Sequence, residues 1–309
     1  MASLDNPFYA YRVSGSTDSD WTLVEVTDGS FPESFTGLGE TEYEVKTKVW
    51  SPSAFITTGE AYDADYQAIL DYATTQGDTL PSLSVQIAQN QVIVDLKAAG
   101  VFSQLDFLHV WRDGTTGLSG FKSIDWIRLS KATLVNSPSL TINGIQGNGT
   151  TSYVDLNYNP TTDAINYLLN NHSIGAFNAN STAKSGVLIS NFGSSGTEIS
   201  NDNIATRLIC YDNGNLFRTP SIPTGEQDGH LFINRDDAAA FEVYKNNVDL
   251  AVPAAVTSAM NNASFRLFSR ANNSFYGNGI ASYDFGGGAL TAPERQSVVD
   301  TFNTYFAAL

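Results

Sequence analysis

Two turns carry residue types suited to recognising sugars. "CYDNGN" brings Tyr211, Asp212 and Asn213 together, and "SRANNSFYGNG" brings Asn272, Asn273, Phe275 and Tyr276 together. An aromatic ring stacks on the apolar face of a sugar while amides and carboxylates take its hydroxyls. These residues form the candidate ligand-binding set; the alternative is that they are ordinary hairpin loops. A catalytic set is harder to assemble. His109, His172 and His230 are far apart, with no i, i+4 partner and no HExxH, so each reads as a satisfied structural histidine. Glycoside cleavage on a sheet face needs two carboxylates about 5–9.5 Å apart. An alternating E-x-D-x-x-E strand that would supply them is absent, and Asp236 and Asp237 are adjacent, so on a strand they would point to opposite faces. They read as turn residues. There is no G-x-S-x-G elbow, and no Lys follows the glycines of "GIQGNGTTS", which excludes a phosphate loop. "FGGGAL" reads as a flexible corner rather than a cradle. The sequence therefore reads as non-enzymatic, with no catalytic residue assigned.

Composition narrows the partners. The chain has 309 residues, enough for two domains or one large domain with a small module. It is 42% hydrophobic and only 16% charged, with a formal net charge of −16. That balance and the lack of any basic run exclude a nucleic-acid partner. A lone cysteine, Cys210, rules out an intrachain disulfide, and its strand-like flank "RLICYD" makes it a small core hydrophobe. The N-terminus shows neither a charged nor an apolar leader region, and no apolar run approaches the roughly 20 residues of a membrane span. The expectation is a protein made in the cytoplasm with no membrane insertion. Triplets such as Asn148-Gly149-Thr150 then read as turns rather than glycan acceptors.

The elements that must position these residues follow from periodicity. "FYAYRV", "WTLVEV" and "YEVKTKVW" alternate with a period of two, as half-buried strands do, and "SPSAFITTGE" reads as a Pro-led edge strand. At residue 63 the period changes. Asp63 caps a helix with Tyr66, Ile69, Leu70 and Ala73 on one face. A second helix runs from Ser84 to Ala99, with Val85, Ala88, Val92, Leu96 and Ala99 as its stripe and Gly100 as its stop. The spacing of Phe102, Leu105 and Leu108 extends a helical connector to residue 111. From 112 on, short apolar alternations between Asn/Gly/Ser/Thr clusters indicate a sandwich or barrel, with "YKNNVDL" as a tight hairpin. Thr291 and Glu294 open a final helix whose buried face is Val298, Val299, Phe302, Tyr305 and Phe306.

These segments resemble known families when taken in order. "FYAYRVSG…DWTLVEV…FTGLGETEYEVKTKVWSPSAFITTG" resembles the second half of a fibronectin type III module, with Leu38 and Tyr43 standing for its tyrosine corner; the module's first two strands have no counterpart. Residues 63–157 resemble a segment of bacteriophage virion proteins, on "DLKAAG" with Phe102 after it, "DWIRL" with Trp126 as a strand, and "GNGTTSYVDL" from Gly147 to Leu156. The remainder resembles a laminin-G-like, concanavalin-type sandwich, on "SIGAF", "INRDD…FEVYKNN", "RLFSRANN" and "LTAPERQSVVDTFNTYFAAL".

The resemblance implies a mainly β protein: a partial fibronectin-like anchoring module at 1–60, a helical connector at 61–111, and at 112–309 a sandwich closed by a C-terminal helix and able to fold alone. It implies a virion location, as a tail fibre, tail-tip or head decoration protein that displays a lectin-like sandwich. Some laminin-G-like relatives bind calcium, which implies Asp212 and Asp236 as oxygen donors; no other cofactor is expected. A half module leaves a bare sheet face and an open strand edge. Another virion protein or another copy of this chain is expected to complete it, by strand addition along "FYAYRV" or by packing on Tyr9, Tyr11 and Trp21; the alternative is that the chain's own helices at 63–108 cover it. The alternatives to a binding role are a glycan-cleaving sandwich enzyme and a decoration with no ligand.

Overall fold

In a computed structural model the chain divides into two compact units, Met1–Ala61 and Tyr62–Leu309. The structure describes residues 8–13, 22–25, 43–48, 62–180, 186–191, 196–201, 208–213, 215–218, 228–251, 254, 259–270 and 276–309. In the first unit, strands Phe8–Val13, Thr22–Glu25 and Tyr43–Lys48 form an antiparallel sheet with Phe8–Val13 in the middle. These are the three runs with period-two alternation. Residues 8–11 are hydrogen-bonded on both sides, Tyr9 in register with Val24 and Thr47, and Tyr11 with Thr22 and Val45. This corrects the expectation of strand addition along "FYAYRV", because a partner strand needs unpaired N–H and C=O groups. Trp21, Leu38 and the Pro-led strand lie outside the described residues.

The second unit is a three-layer stack of helices and two sheets. A seven-stranded sheet runs in the order Asn215–Arg218, Leu208–Asp212, Glu198–Asn201, Gly186–Ser190, Arg266–Leu267, Tyr153–Asp155, Thr133–Val135. An eight-stranded sheet runs Val248–Ala251, Glu242–Lys245, Gly229–Arg235, His172–Asn178, Ile280–Gly287, Gly144–Gln146, Ser139–Thr141, and Leu105–Val110 also pairs with Ile280–Gly287. All pairings in both sheets are antiparallel. Between the sheets lies a core that includes Phe107, Ile174, Ile189, Ile199, Cys210 and Leu267. The other face of the eight-stranded sheet is covered by helices α1 (Ala64–Thr75), α2 (Leu83–Ala98) and α4 (Ala292–Ala308), with a one-turn α3 (Ser119–Lys122) beside them. Tyr66, Ile93, Leu96, Phe232, Tyr283, Phe285 and Phe302 make this second core. A strand covered on both faces has no polar side, which is why Gly229–Arg235 is buried throughout its length.

The helix ends follow the sequence. Asp63 accepts from the Asp65 N–H, and Thr291 and Glu294 form the reciprocal capping box. Helix α1 buries the expected Tyr66, Ile69, Leu70 and Ala73. Helix α2 spans Leu83–Ala98 and buries Gln89, Val92, Ile93 and Leu96, a stripe rotated from the expected one. The Glu242–Lys245 hairpin turns through Asn246 and Asn247, both in the left-handed region (φ 51° and 59°), as a two-residue turn requires.

Three expectations are corrected. Leu105–Val110 is a strand, not the end of a helical connector: Leu108 and Val110 point into the helix-side core and Phe107 into the inter-sheet core. Residues 62–111 are therefore part of the sandwich unit, and 112–309 lacks one of its strands. Trp126 sits in the turn between the short strands Ile124–Asp125 and Ser130–Lys131 rather than on a strand. The glycines of "FGGGAL" are not a flexible corner: a Cβ on Gly286 would lie 2.4 Å from the Phe107 ring, and one on Gly287 would lie 2.1 Å from the Gln104 carbonyl oxygen. They let neighbouring segments approach closely.

Candidate functional site

The register of the seven-stranded sheet places one row of side chains across its outer face. Leu216 pairs with Tyr211, Tyr211 with Glu198, Glu198 with Ser190, Ser190 with Arg266, Arg266 with Asp155, and Asp155 with Thr133. Their strand neighbours Cys210, Ile199, Ile189, Leu267 and Val154 point the opposite way, into the inter-sheet core. The row therefore faces away from that core. Leu216 and Thr133 are exposed, Tyr211, Arg266 and Asp155 half-buried, and Glu198 and Ser190 buried.

Two arginines organise the row. Arg270 reaches back to Glu198 with two bonds, Nε to Oε2 at 2.7 Å and Nη2 to Oε1 at 2.9 Å, and its guanidinium lies 5.7 Å from the Tyr211 ring centre. Ser190 and Ser200 also donate to Glu198, at 3.1 and 2.8 Å. The Glu198 hydrogen bonds hold the Arg270 guanidinium above its ordinary value. Arg266 donates to Asp155 at 3.3 Å and lies 4.6 Å from the centre of Tyr153, whose ring is 6.5 Å from that of Tyr276. Tyr276 is held by an antiparallel bridge to Ser269. The two turns singled out in the sequence thus converge: Arg270 from one stacks on Tyr211 from the other.

The remaining candidates divide. Asn272, Asn273 and Phe275 lie outside the described residues. Asp212, one residue beyond Tyr211, points inward and is fully buried. Its Oδ1 meets His172 Nε2 at 2.7 Å and its Oδ2 accepts from Arg235 Nη1 at 2.6 Å, an ion-paired staple between the two sheets. Burial alone would raise the Asp212 carboxyl, but His172 and Arg235 overcome it and hold the group below the usual carboxylate range. With both oxygens engaged, Asp212 is a core anchor and not a donor to sugar or calcium. Asn213 is also buried, in the left-handed region (φ 46°), with its amide donating to the Leu169 carbonyl at 3.3 Å, which makes it a turn residue. Asp236 is exposed, and Asp237 accepts from the Ala239 N–H, the turn role expected of it. Among the described residues no group of three His, Cys, Asp or Glu could hold a metal ion.

The histidines are structural. His109 pairs with Asp284, which also accepts from the Trp111 indole; His172 belongs to the staple; and His230 contacts the Tyr283 hydroxyl and Asn303. Asn148 uses its side-chain oxygen on three backbone N–H groups, of Thr150, Thr151 and Ser152, as a turn residue does.

Sequence reasoning missed Arg266, Arg270, Glu198, Asp155 and Tyr153. One signal was available: "RLFSR" spaces two arginines by an even number in a strand-like run of a chain poor in cations. Their acidic partners are remote in sequence and left no local trace.

No known family profile matches the chain, and no curated protein matches it either. Solved structures do resemble it. The sialidase of Trypanosoma rangeli, in a mutant displaying trans-sialidase activity, aligns at 12% identity with a TM-score of 0.50 over 70% of this chain and 39% of its own. Domain 4 of AbnA, a GH43 extracellular arabinanase from Geobacillus stearothermophilus solved with arabinotriose, aligns at 17% identity with a TM-score of 0.44 over 63% of this chain and 98% of its own. The binding domain of Paraclostridial Mosquitocidal Protein 1 aligns at 12% identity with a TM-score of 0.42 over 65% and 53%. This chain spans about two fifths of the sialidase's length, and at such identity the likeness is one of fold: an antiparallel β-sandwich with few helices.

Proposed function

We propose that this protein is a non-enzymatic structural component of a phage virion, as a decoration, fibre or tail-tip protein. It is anchored through residues 1–60 and presents its sandwich as a glycan-binding surface. The observation that carries the binding reading is the row on the outer face of the seven-stranded sheet. There Tyr211, Tyr153 and Tyr276 offer aromatic faces, and Arg270, Arg266 and Asp155 offer donors and acceptors beside them. Tyrosine stacking with flanking polar groups suits a sugar's mixed surface. Support for binding without cleavage comes from the carboxylates. Glu198 and Asp155 are each already bonded to an arginine, and Glu198 is fully buried with two serine hydroxyls on its remaining acceptor directions, so it is not presented to a glycosidic oxygen. The virion placement rests on the order of motifs in residues 63–157.

Two measurements test the proposal. Mass spectrometry and labelled imaging of purified particles should find this chain on the virion, and deleting residues 1–60 should release it; a truncated chain that still joins particles refutes the anchor. A glycan array probed with the full chain should give binding without turnover. Release of reducing ends from any bound glycan would replace this reading with an enzyme.

A further inference from the structure

We infer that the outer face of the seven-stranded sheet selects a neutral, hydroxyl-rich glycan chain lying across the strands, and discriminates against anionic ones. The inference rests on the binding reading above and adds the ligand's charge class. Among the described side chains of this face, each charge has an opposite partner in place. Arg270 is bidentate on Glu198, and Arg266 bonds Asp155, so two cations meet two anions. Glu198 is buried beneath Arg270 with two serine hydroxyls filling its remaining acceptor directions. A sulfate, sialate or uronate reaching either arginine would lie beside the carboxylate already bonded to it, whose charge offsets the attraction. It would also approach a chain of net charge −16. A sugar hydroxyl faces no such offset: it both donates and accepts, so it can bridge an arginine–carboxylate pair without breaking it.

The geometry sets the direction of the chain. Consecutive members of the row are cross-strand partners, from Leu216 to Thr133. Six inter-strand steps of about 4.8 Å make the row about 29 Å long, room for several linked sugars. Tyr211 lies towards one end, and the Tyr153–Tyr276 pair towards the other, so stacking platforms flank the paired charges rather than crowding one point.

The test uses the full-length chain and two sets of hexasaccharides: neutral (cello-, malto- and manno-) and anionic (hexagalacturonate and a sialic acid hexamer). Binding is measured by calorimetry at 0.05 and 0.5 M NaCl. The inference expects at least one neutral hexamer to bind, with affinity changed less than twofold by salt, and no anionic hexamer to bind more tightly. Tyr211→Ala and Tyr153→Ala, each checked for an unchanged melting temperature, should each weaken the neutral ligand roughly three- to tenfold. Tighter, salt-sensitive binding of an anionic hexamer overturns the charge inference and leaves the glycan-binding reading standing. Neutral binding unaffected by either tyrosine variant overturns the placement on this face. No binding in either set overturns the glycan-binding reading, and the inference with it.

Discussion

His230 makes a pH-dependent contribution to stability that can be worked from its surroundings. It is buried between the eight-stranded sheet and α4. Its Nδ1 contacts the Tyr283 hydroxyl at 2.7 Å and its Nε2 contacts Asn303 Oδ1 at 3.1 Å, and it is edge-on to Phe177 at 4.7 Å. Burial in this aromatic setting pushes the imidazole down to about 4, against a small opposing pull from Asn303 and Asp300. In the unfolded chain the ring titrates near its ordinary value of about 6.5. Between these values the unfolded state holds a proton that the folded state refuses, so the contribution is complete above about 6.5 and is lost as pH falls towards 4. At about 1.4 kcal/mol per pH unit over that window, the loss approaches about 3 kcal/mol. Urea unfolding of the wild type and of His230→Gln at pH 7.5, 6.5, 5.5 and 4.5 reads it directly. The wild type should lose more stability than the variant across the series, by about 2–3 kcal/mol at the lowest pH. Parallel curves would refute the reasoning, because carboxylates such as Asp212, held below the usual range, lose their contribution only at still lower pH.

Phe302, fully buried and stacked on Tyr283 at 3.8 Å, anchors α4 to the sheet. Phe302→Asp should abolish the cooperative melt, since an unpaired buried charge costs several kcal/mol; a cooperative melt would show the helix to be dispensable. Residues 62–309 should fold alone and 112–309 should not, because the shorter piece lacks the strand Leu105–Val110; a dispersed NMR spectrum from 112–309 would contradict this. Gly286→Val should cost roughly 1–3 kcal/mol in chemical denaturation, through overlap with the Phe107 ring, and an unchanged midpoint would refute the close approach. Calcium and chelator should leave the melting temperature unchanged, because Asp212 has both oxygens engaged; a rise of several degrees with calcium would reveal a site elsewhere.

The helices and their caps were legible because each signal is local: Asp63, the Thr291–Glu294 pair and the Tyr66 stripe are defined within a turn or two. The sandwich was legible from many short alternating runs. Leu105–Val110 was not, because burial on both faces erases the period of two, and Leu105 and Leu108 happen to fall at a helical spacing. Asp212 was misjudged for a different reason. Its neighbours in sequence are turn residues, whereas the groups that bury it, His172 and Arg235, come from the opposite sheet. Tyr211 and Tyr276 were found by residue type alone; the arginines that organise them required the register.

Ile280–Gly287 pairs with Leu105–Val110, a strand made some 175 residues earlier. It also lies beside His172–Asn178, so the middle of its sheet is assembled from three distant stretches of chain. During synthesis α1, α2 and Leu105–Val110 leave the ribosome long before the strand that completes their sheet. Loop closure over such separations is slow, and an unfilled strand slot exposes an apolar edge while it waits. A chain stalled or clipped before residue 287 has no partial product to fall back on, since both cores share that strand. Recovery of folded protein is therefore expected to depend on how well the nascent chain is shielded until Ile280–Gly287 arrives. Chaperone supply and growth temperature should govern recovery of soluble protein more strongly than surface substitutions do.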